Sequence, residues 1–272
     1  MKTILAPTDF SKISENAVHY AAEMAKATHS KLILLHAYTI SVPAYDVPII
    51  PVPFEEMEKE YYSTLNDFDK KIKKKYGNIE TQLLVKPGFV VDEINAEIEN
   101  DKIDIVVMGI TGAGKTTSIL GSNTTSIMKK STCPILVIPE NVSFKKPKNI
   151  AIACDFKAII PTHVVEHFSD FVRAFGAKIF IFDVLKKAEI LSYQKAAAEV
   201  NLENALVDLE HTIYFASSDD LPQEVGEFVT KNNIDILTVM PHNYNFISGL
   251  FHQSTSKQIA LYTHIPILSL HE

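Results

Sequence analysis

Apolar residues along this chain fall into two alternating rhythms. Runs without polar alternation, such as Leu32-Ile33-Leu34-Leu35 and Ile105-Val106-Val107-Met108, suit strands covered on both faces, the pattern of a parallel sheet. On this basis strands are predicted over Lys2–Pro7, Lys31–Ala37, Glu80–Val85, 105–108 and Ile135–Ile138. Between them the spacing turns helical. In Lys12–Ala27 the apolar positions Ala17, Ala21, Met24 and Ala25 return once per turn, and further helices are predicted over Phe54–Lys75 and Val90–Glu99. A short helix opened by Ser122-Asn123-Thr124 precedes the fifth strand. The order β-α-β-α-β-α-β-α-β predicts a parallel sheet with helices on both faces. One segment breaks both rhythms. Prolines at 43, 48, 51 and 53 exclude regular structure over most of Tyr38–Pro53. Its apolar side chains, among them Tyr45, Ile49 and Ile50, make it either a lid over the site or, as we read it, a cover packed against the second half of the chain.

The whole pattern occurs twice. Lys2-Thr3-Ile4-Leu5-Ala6-Pro7-Thr8-Asp9-Phe10 is echoed by Lys148-Asn149-Ile150-Ala151-Ile152-Ala153-Cys154-Asp155-Phe156, Ile103-Asp104-Ile105 by Ile234-Asp235-Ile236, and Cys133-Pro134-Ile135-Leu136 by Ile265-Pro266-Ile267-Leu268. Echoes in the same order mark a tandem duplication. The predicted units are residues 1–142 and 147–272, with the boundary in the polar stretch Glu140–Pro147. Second-copy elements are expected as helices over Pro161–Phe175, Leu191–Leu206 and Leu221–Lys231, and strands over Lys178–Asp183, His211–Phe215 and Ile267–Leu270. Each copy ends on an apolar strand whose unpaired edge invites another, so the two last strands are expected to pair in a pseudo-two-fold arrangement.

Composition narrows the function. Of 272 residues, 46% are apolar and 22% charged, values of a globular protein. The net charge of −7 with scattered basic residues disfavours nucleic acid as a partner. No apolar run approaches the roughly 18 residues of a membrane span, and MKTILAPTDFSK lacks a signal peptide's apolar core. Cys133 and Cys154 form no CxxC or zinc spacing. A cytoplasmic location with reduced, buried thiols is expected.

The candidate chemistry sits after the fourth strand. Gly109 is read as ending that strand, and Gly112, Gly114 and Gly121 follow before Ser122, Asn123 and Thr124. Glycines permit close backbone approach, and a helix N-terminus offers unpaired N–H groups to an anion such as phosphate. Turn glycines followed by a helix cap are the plainer reading. A third comes from Gly109-Ile110-Thr111-Gly112-Ala113-Gly114-Lys115-Thr116, which matches the P-loop pattern, with Asp183 available at the end of a later strand to hold magnesium. A P-loop opens its domain, whereas the repeat puts this loop at the fourth strand. His163 and His167, one helical turn apart, could share a metal, but no third ligand stands at a fixed spacing, so they read as surface histidines. No nucleophile–base pair or carboxylate pair is defined.

The opening ILAPTDFS, the Gly109-x2-Gly112 loop with Gly121-Ser122, and the closing CPILVIP together resemble the universal stress protein family, here as two tandem copies with the first closer to pattern. The resemblance implies a Rossmann-like, adenine nucleotide alpha hydrolase-like domain of five parallel strands. It implies a stress-response regulator that binds ATP, AMP or another adenine nucleotide, with or without magnesium, and that turns over little or none. Carried onto this sequence, it puts Thr8 and Asp9 near adenine and ribose and the backbone of Ala37 at the base. Met108, Gly109, Gly112, Gly114, Gly121, Ser122 and Asn123 would surround ribose and phosphates, and apart from the resemblance Lys115 of the P-loop-like run could touch a phosphate as a point charge. A protein partner is also expected, and further homodimerisation is left open. The sequence departs from the family twice. Eight residues separate Gly112 from Gly121, one fewer than the family pattern carries. In the second copy Met240, Pro241, His242 and Asn243 occupy the glycine positions and Gln253-Ser254-Thr255 follows, although Asp155 is retained. A nucleotide-free interaction module of the same fold and a P-loop-type ATPase are the alternatives.

Overall fold

The computed structural model describes residues 1–39, 54–100, 102–110, 122–154, 161–185, 202–217, 221–240 and 264–271. Its first half runs β1 (Thr3–Pro7), α1 (Lys12–Thr28), β2 (Lys31–Tyr38), α2 (Phe54–Tyr76), β3 (Thr81–Pro87), α3 (Val90–Asn100), β4 (Ile105–Ile110), α4 (Ser122–Lys130) and β5 (Ile135–Pro139). Its second half runs β6 (Asn149–Cys154), α5 (Thr162–Phe175), β7 (Lys178–Leu185), β8 (His211–Ser217), α6 (Leu221–Lys231), β9 (Ile236–Val239) and β10 (Ile267–Ser269). The proline-rich stretch 40–53, residues 191–201 of the helix expected over Leu191–Leu206, most of the glycine loop and residues 241–263 lie outside the described residues, while 202–205 of that helix are described and helical.

All ten strands join one sheet in the order β3-β2-β1-β4-β5-β10-β9-β6-β7-β8. Each half is parallel within itself, and the halves meet at the antiparallel pair β5–β10. Within each half the chain winds outward in one direction and then reverses, between β1 and β4 and between β6 and β9. At the junction Val137 faces Ile267, Leu136 faces Leu268 and Ile135 faces Ser269. Leu136 and Leu268 are equivalent residues of the two copies, so the pseudo-dyad passes through that pair. Both are fully buried.

The repeated sequence echoes have physical reasons. Asp104 Oδ2 accepts the backbone N–H groups of Lys2 and Thr3, the latter at 2.7 Å. Asp235 Oδ2 does the same for Lys148 (2.7 Å) and Asn149 (3.0 Å). One carboxylate thus ties the start of each half's first strand to the chain entering its fourth. Pro134 and Pro266 need no N–H there, while their carbonyls accept from Val106 (2.9 Å) and Leu237 (3.1 Å).

Helices α1, α2 and α5 bury their apolar faces on one side of the sheet, in a single core that crosses the junction through Leu136 and Leu268. On the other side α3 and α4 cover the first half and α6 the second, in two separate cores. The polar linker also packs. Phe144 sits edge-on to Tyr20 of α1 at 5.2 Å and 6.3 Å from Phe175 of α5, and Asn16 Nδ2 donates to the carbonyls of Pro139 and Val142. Cys133 is buried and free, and burial pushes its thiol from the ordinary 9 up to about 12. The thiolate is the reactive form, so Cys133 should resist alkylation at pH 8 until urea unfolds the chain, as peptide mass mapping would read. Because the raised value favours the protonated thiol in the fold, this contribution to stability is intact below pH 9 and is lost as the pH rises towards 12.

Candidate functional site

The carboxyl ends of β1, β2, β3 and β4 and the first residues of α1, α3 and α4 enclose a cavity of about 420 Å³. It lies where strand order reverses, the place at which open α/β sheets leave a crevice. Beside β1 its wall is the tight turn from Thr8 to Ser11. Phe10 there has φ 61°, a left-handed conformation that strains an aromatic residue by the order of 1–3 kcal/mol. The turn is held in place from several sides. Phe10 N–H donates to Thr8 Oγ1 (3.0 Å), and its ring lies 4.7 Å from that of His36. The Nδ1–H of His36 donates to the Thr8 carbonyl at 2.8 Å. Asp9 Oδ1 accepts the Ser11 N–H (3.0 Å), and Ser11 caps α1 by accepting from Ser14 N–H (3.3 Å). Asp9 therefore braces the turn, while Ser11 is the cap. Burial raises the Asp9 carboxyl, but the bonds it accepts from Ser11 and Ser14 outweigh that and set it below the ordinary 3.8. It is ionised throughout the neutral range. Among the described lining residues it alone carries a charge.

Gly109 differs from its expected role. The strand continues through it to Ile110, so it is not the residue that ends β4. A Cβ there would lie 2.6 Å from the carbonyl oxygen and 2.7 Å from Cγ2 of Ile13. Gly109 is small because the start of α1 lies directly on β4. Thr124 Oγ1 of α4 donates to its carbonyl at 3.4 Å. At the equivalent position of the second half stands Met240, packed on the shared core. The helix after the equivalent aspartate also starts later there. Helix α1 begins three residues after Asp9, whereas α5 begins seven residues after Asp155.

Of the residues singled out from sequence, Thr8, Asp9, Ala37, Met108, Gly109 and Asn123 line this one cavity. Ser122 opens α4. Gly112, Gly114, Lys115 and Gly121 lie outside the described residues. Sequence reasoning missed the contribution of the third strand, Gly88, Phe89 and Val90, and that of Ile13 and Ser14. The available signal was positional, since a residue just past β3 must emerge at the same sheet edge as those past β1, β2 and β4. Asp183, the magnesium ligand of the P-loop reading, is on β7. It lies five strand spacings from β4, about 24 Å, in the half whose strands run the other way. His163 and His167 are exposed with ring centroids 6.2 Å apart. No group of three or more His, Cys, Asp or Glu placed to hold a metal occurs among the described residues, and no described helix is long and apolar enough to cross a membrane.

Two doubly wound half-sheets, with a cavity at the strand-order reversal of the first, define the class as a tandem α/β protein of Rossmann-like topology. The chain belongs to the Universal stress protein family, a family of stress-response proteins, whose pattern matches residues 1–139. A universal stress protein of Methanocaldococcus jannaschii is 31% identical over 156 residues, covering 54% of this chain and 84% of that protein. In architecture the chain is similar to the crystal structure of a universal stress protein from Archaeoglobus fulgidus, with TM-score 0.70 and 17% identity over 99% of this chain and 98% of that one. A universal stress protein solved in complex with cAMP is 26% identical, covers 50% of this chain and 96% of that one, and has TM-score 0.38.

Proposed function

We propose that the first half, residues 1–142, binds an adenine nucleotide in this cavity, and that the bound state is read by a protein partner instead of being consumed by turnover. The observation that carries the reading is the cavity itself, which opens at the reversal of strand order between β1 and β4 and is lined by the starts of both α1 and α4. Helix N-termini favour anions through unpaired N–H groups, and Asn123 and Thr124 stand where the chain enters α4. Ionised Asp9 repels phosphate but accepts hydrogen bonds, which suits it to sugar hydroxyls. The base then falls towards Ala37 and the end of β3. Lys115, on the glycine loop, is assigned to the phosphates, with magnesium as their companion when a triphosphate binds. The second half, residues 147–272, with Met240 in place of the glycine, is assigned a structural and docking role.

Calorimetry with ATP, AMP and tripolyphosphate tests this. ATP should bind the full chain with measurable heat. Asp9→Asn keeps an oxygen for the Ser11 N–H but loses the charge, and should weaken ATP by about tenfold while leaving tripolyphosphate unchanged. Protein that carries no nucleotide after denaturation and chromatography, and gives no heat with millimolar ATP, would favour a nucleotide-free interaction module. Fast magnesium-dependent turnover abolished by Lys115→Ala would favour an ATPase.

A further inference from the structure

We propose that Phe89 is the platform on which the base of the bound nucleotide stacks, so that the loop after the third strand makes the aromatic contact. The inference rests on the nucleotide reading above and adds to it a residue outside the glycine loop. Three observations converge. The first is the polarity of the cavity along its length. It crosses the sheet from β3 to β4, three strand spacings or about 14 Å. Its β4 end presents Asn123 and Thr124, and its β3 end presents Phe89 and Val90. A ligand with a charged tail and a flat ring fits in one direction only.

The second is the exposure of the ring. Phe89 is 71% exposed, although it lines the cavity. Its carbonyl accepts from the N–H groups of Asp92 and Glu93 at 3.0 Å each, which makes it the residue that opens α3. That position favours Ser, Thr, Asp or Asn, whose side chains cap the helix, and a phenyl ring cannot cap. The ring serves neither the helix end nor the core, and the residue borders the cavity.

The third is the stem that holds it. Gly88 N–H donates to the Tyr38 carbonyl at 2.9 Å, and a Cβ on Gly88 would lie 2.2 Å from Glu93 Oε1. The Gly88–Tyr38 bond ties the backbone before Phe89 to β2, so the Cα from which the ring projects is placed beside the cavity before any ligand arrives. An aromatic side chain with two rotatable bonds then gives a large contact at small entropic cost.

The test compares ATP with tripolyphosphate on the full chain. Phe89→Ala should weaken ATP by about 5- to 150-fold, the range for losing one base–aromatic stack, and leave tripolyphosphate unchanged. The chain contains no tryptophan, so Phe89→Trp installs a single indole. Its emission should be quenched by ATP and indifferent to tripolyphosphate. Phe89→Ser restores a cap and should raise the melting temperature by about 2 °C while losing ATP as the alanine variant does, which separates a structural from a ligand-facing role. If wild type binds ATP and Phe89→Ala binds it within twofold, the stacking assignment is overturned and the nucleotide reading stands. If wild type gives no heat with ATP and the emission of Phe89→Trp does not respond, both are overturned.

Discussion

Gly109→Val is expected to lower the urea midpoint and erase the heat of ATP binding in the same variant. The first atom of any side chain at 109 meets the main-chain oxygen of Ile13 at 2.6 Å and its carbonyl carbon at 3.0 Å. Backbone cannot rotate aside as a side-chain tip can, so the first turn of α1 must lift from β4. Overpacking of this kind costs about 1–3 kcal/mol. The same displacement carries off the Thr8–Ser14 wall of the cavity, so stability and binding fall together. Gly77→Ala is the contrast. Gly77 has φ +91° and no atom within 4 Å of a built Cβ, and it is not among the residues lining the cavity. Its alanine variant should lose about 1–2 kcal/mol through backbone strain alone and keep the full ATP signal. A Gly109→Val protein that is destabilised yet binds ATP as wild type would show that the ligand sits elsewhere. Unchanged stability would show that α1 yields freely.

The second large effect is expected at the pseudo-dyad. Leu136→Ala and Leu268→Ala should each cost about 2–5 kcal/mol, since both side chains are fully buried and each leaves a cavity. The residues face each other across β5 and β10, so the double variant should differ from the sum of the singles by about 0.5–3 kcal/mol. Wild type should unfold in one transition by circular dichroism and by tyrosine emission, because one core runs through both halves on the α1, α2 and α5 side. The double variant should show two. Additive losses with cooperativity intact would mean that the halves are joined mainly by the linker, through Phe144.

Much of this architecture was legible in the sequence because strands buried on both faces and amphipathic helices leave unmistakable periods. Helices at 12–28, 90–100 and 221–231 begin and end within two residues of where spacing put them, and the pairing of the last strands followed from two equivalent bare edges. What escaped was tertiary. Gly109 reads locally as a strand terminator, and only the approach of Ile13, nearly a hundred residues away, shows why it is glycine. Asp104 and Asp235 were visible as a repeat, but their work is done on backbone far away in sequence. Phe144 lies in a stretch whose composition spells linker. For the cavity, sequence indicated residues after β1, β2 and β4 and missed Phe89, because an apolar residue ahead of Val90 and Val91 reads as part of a helix stripe until its exposure is known.

The antiparallel closure of β5 on β10 also sets an order of events during synthesis. Strand β5 is complete at Pro139, but its partner begins at Ile267. At ribosomal speeds of roughly 5–20 residues per second its free edge waits on the order of ten seconds. Throughout that interval the nascent leading half displays an apolar ribbon that would equally accept the same ribbon from a chain on the next ribosome. Correct assembly is therefore a race between the tail of one polypeptide and the head of its neighbour, and it should be won more often where initiation on the message is sparse.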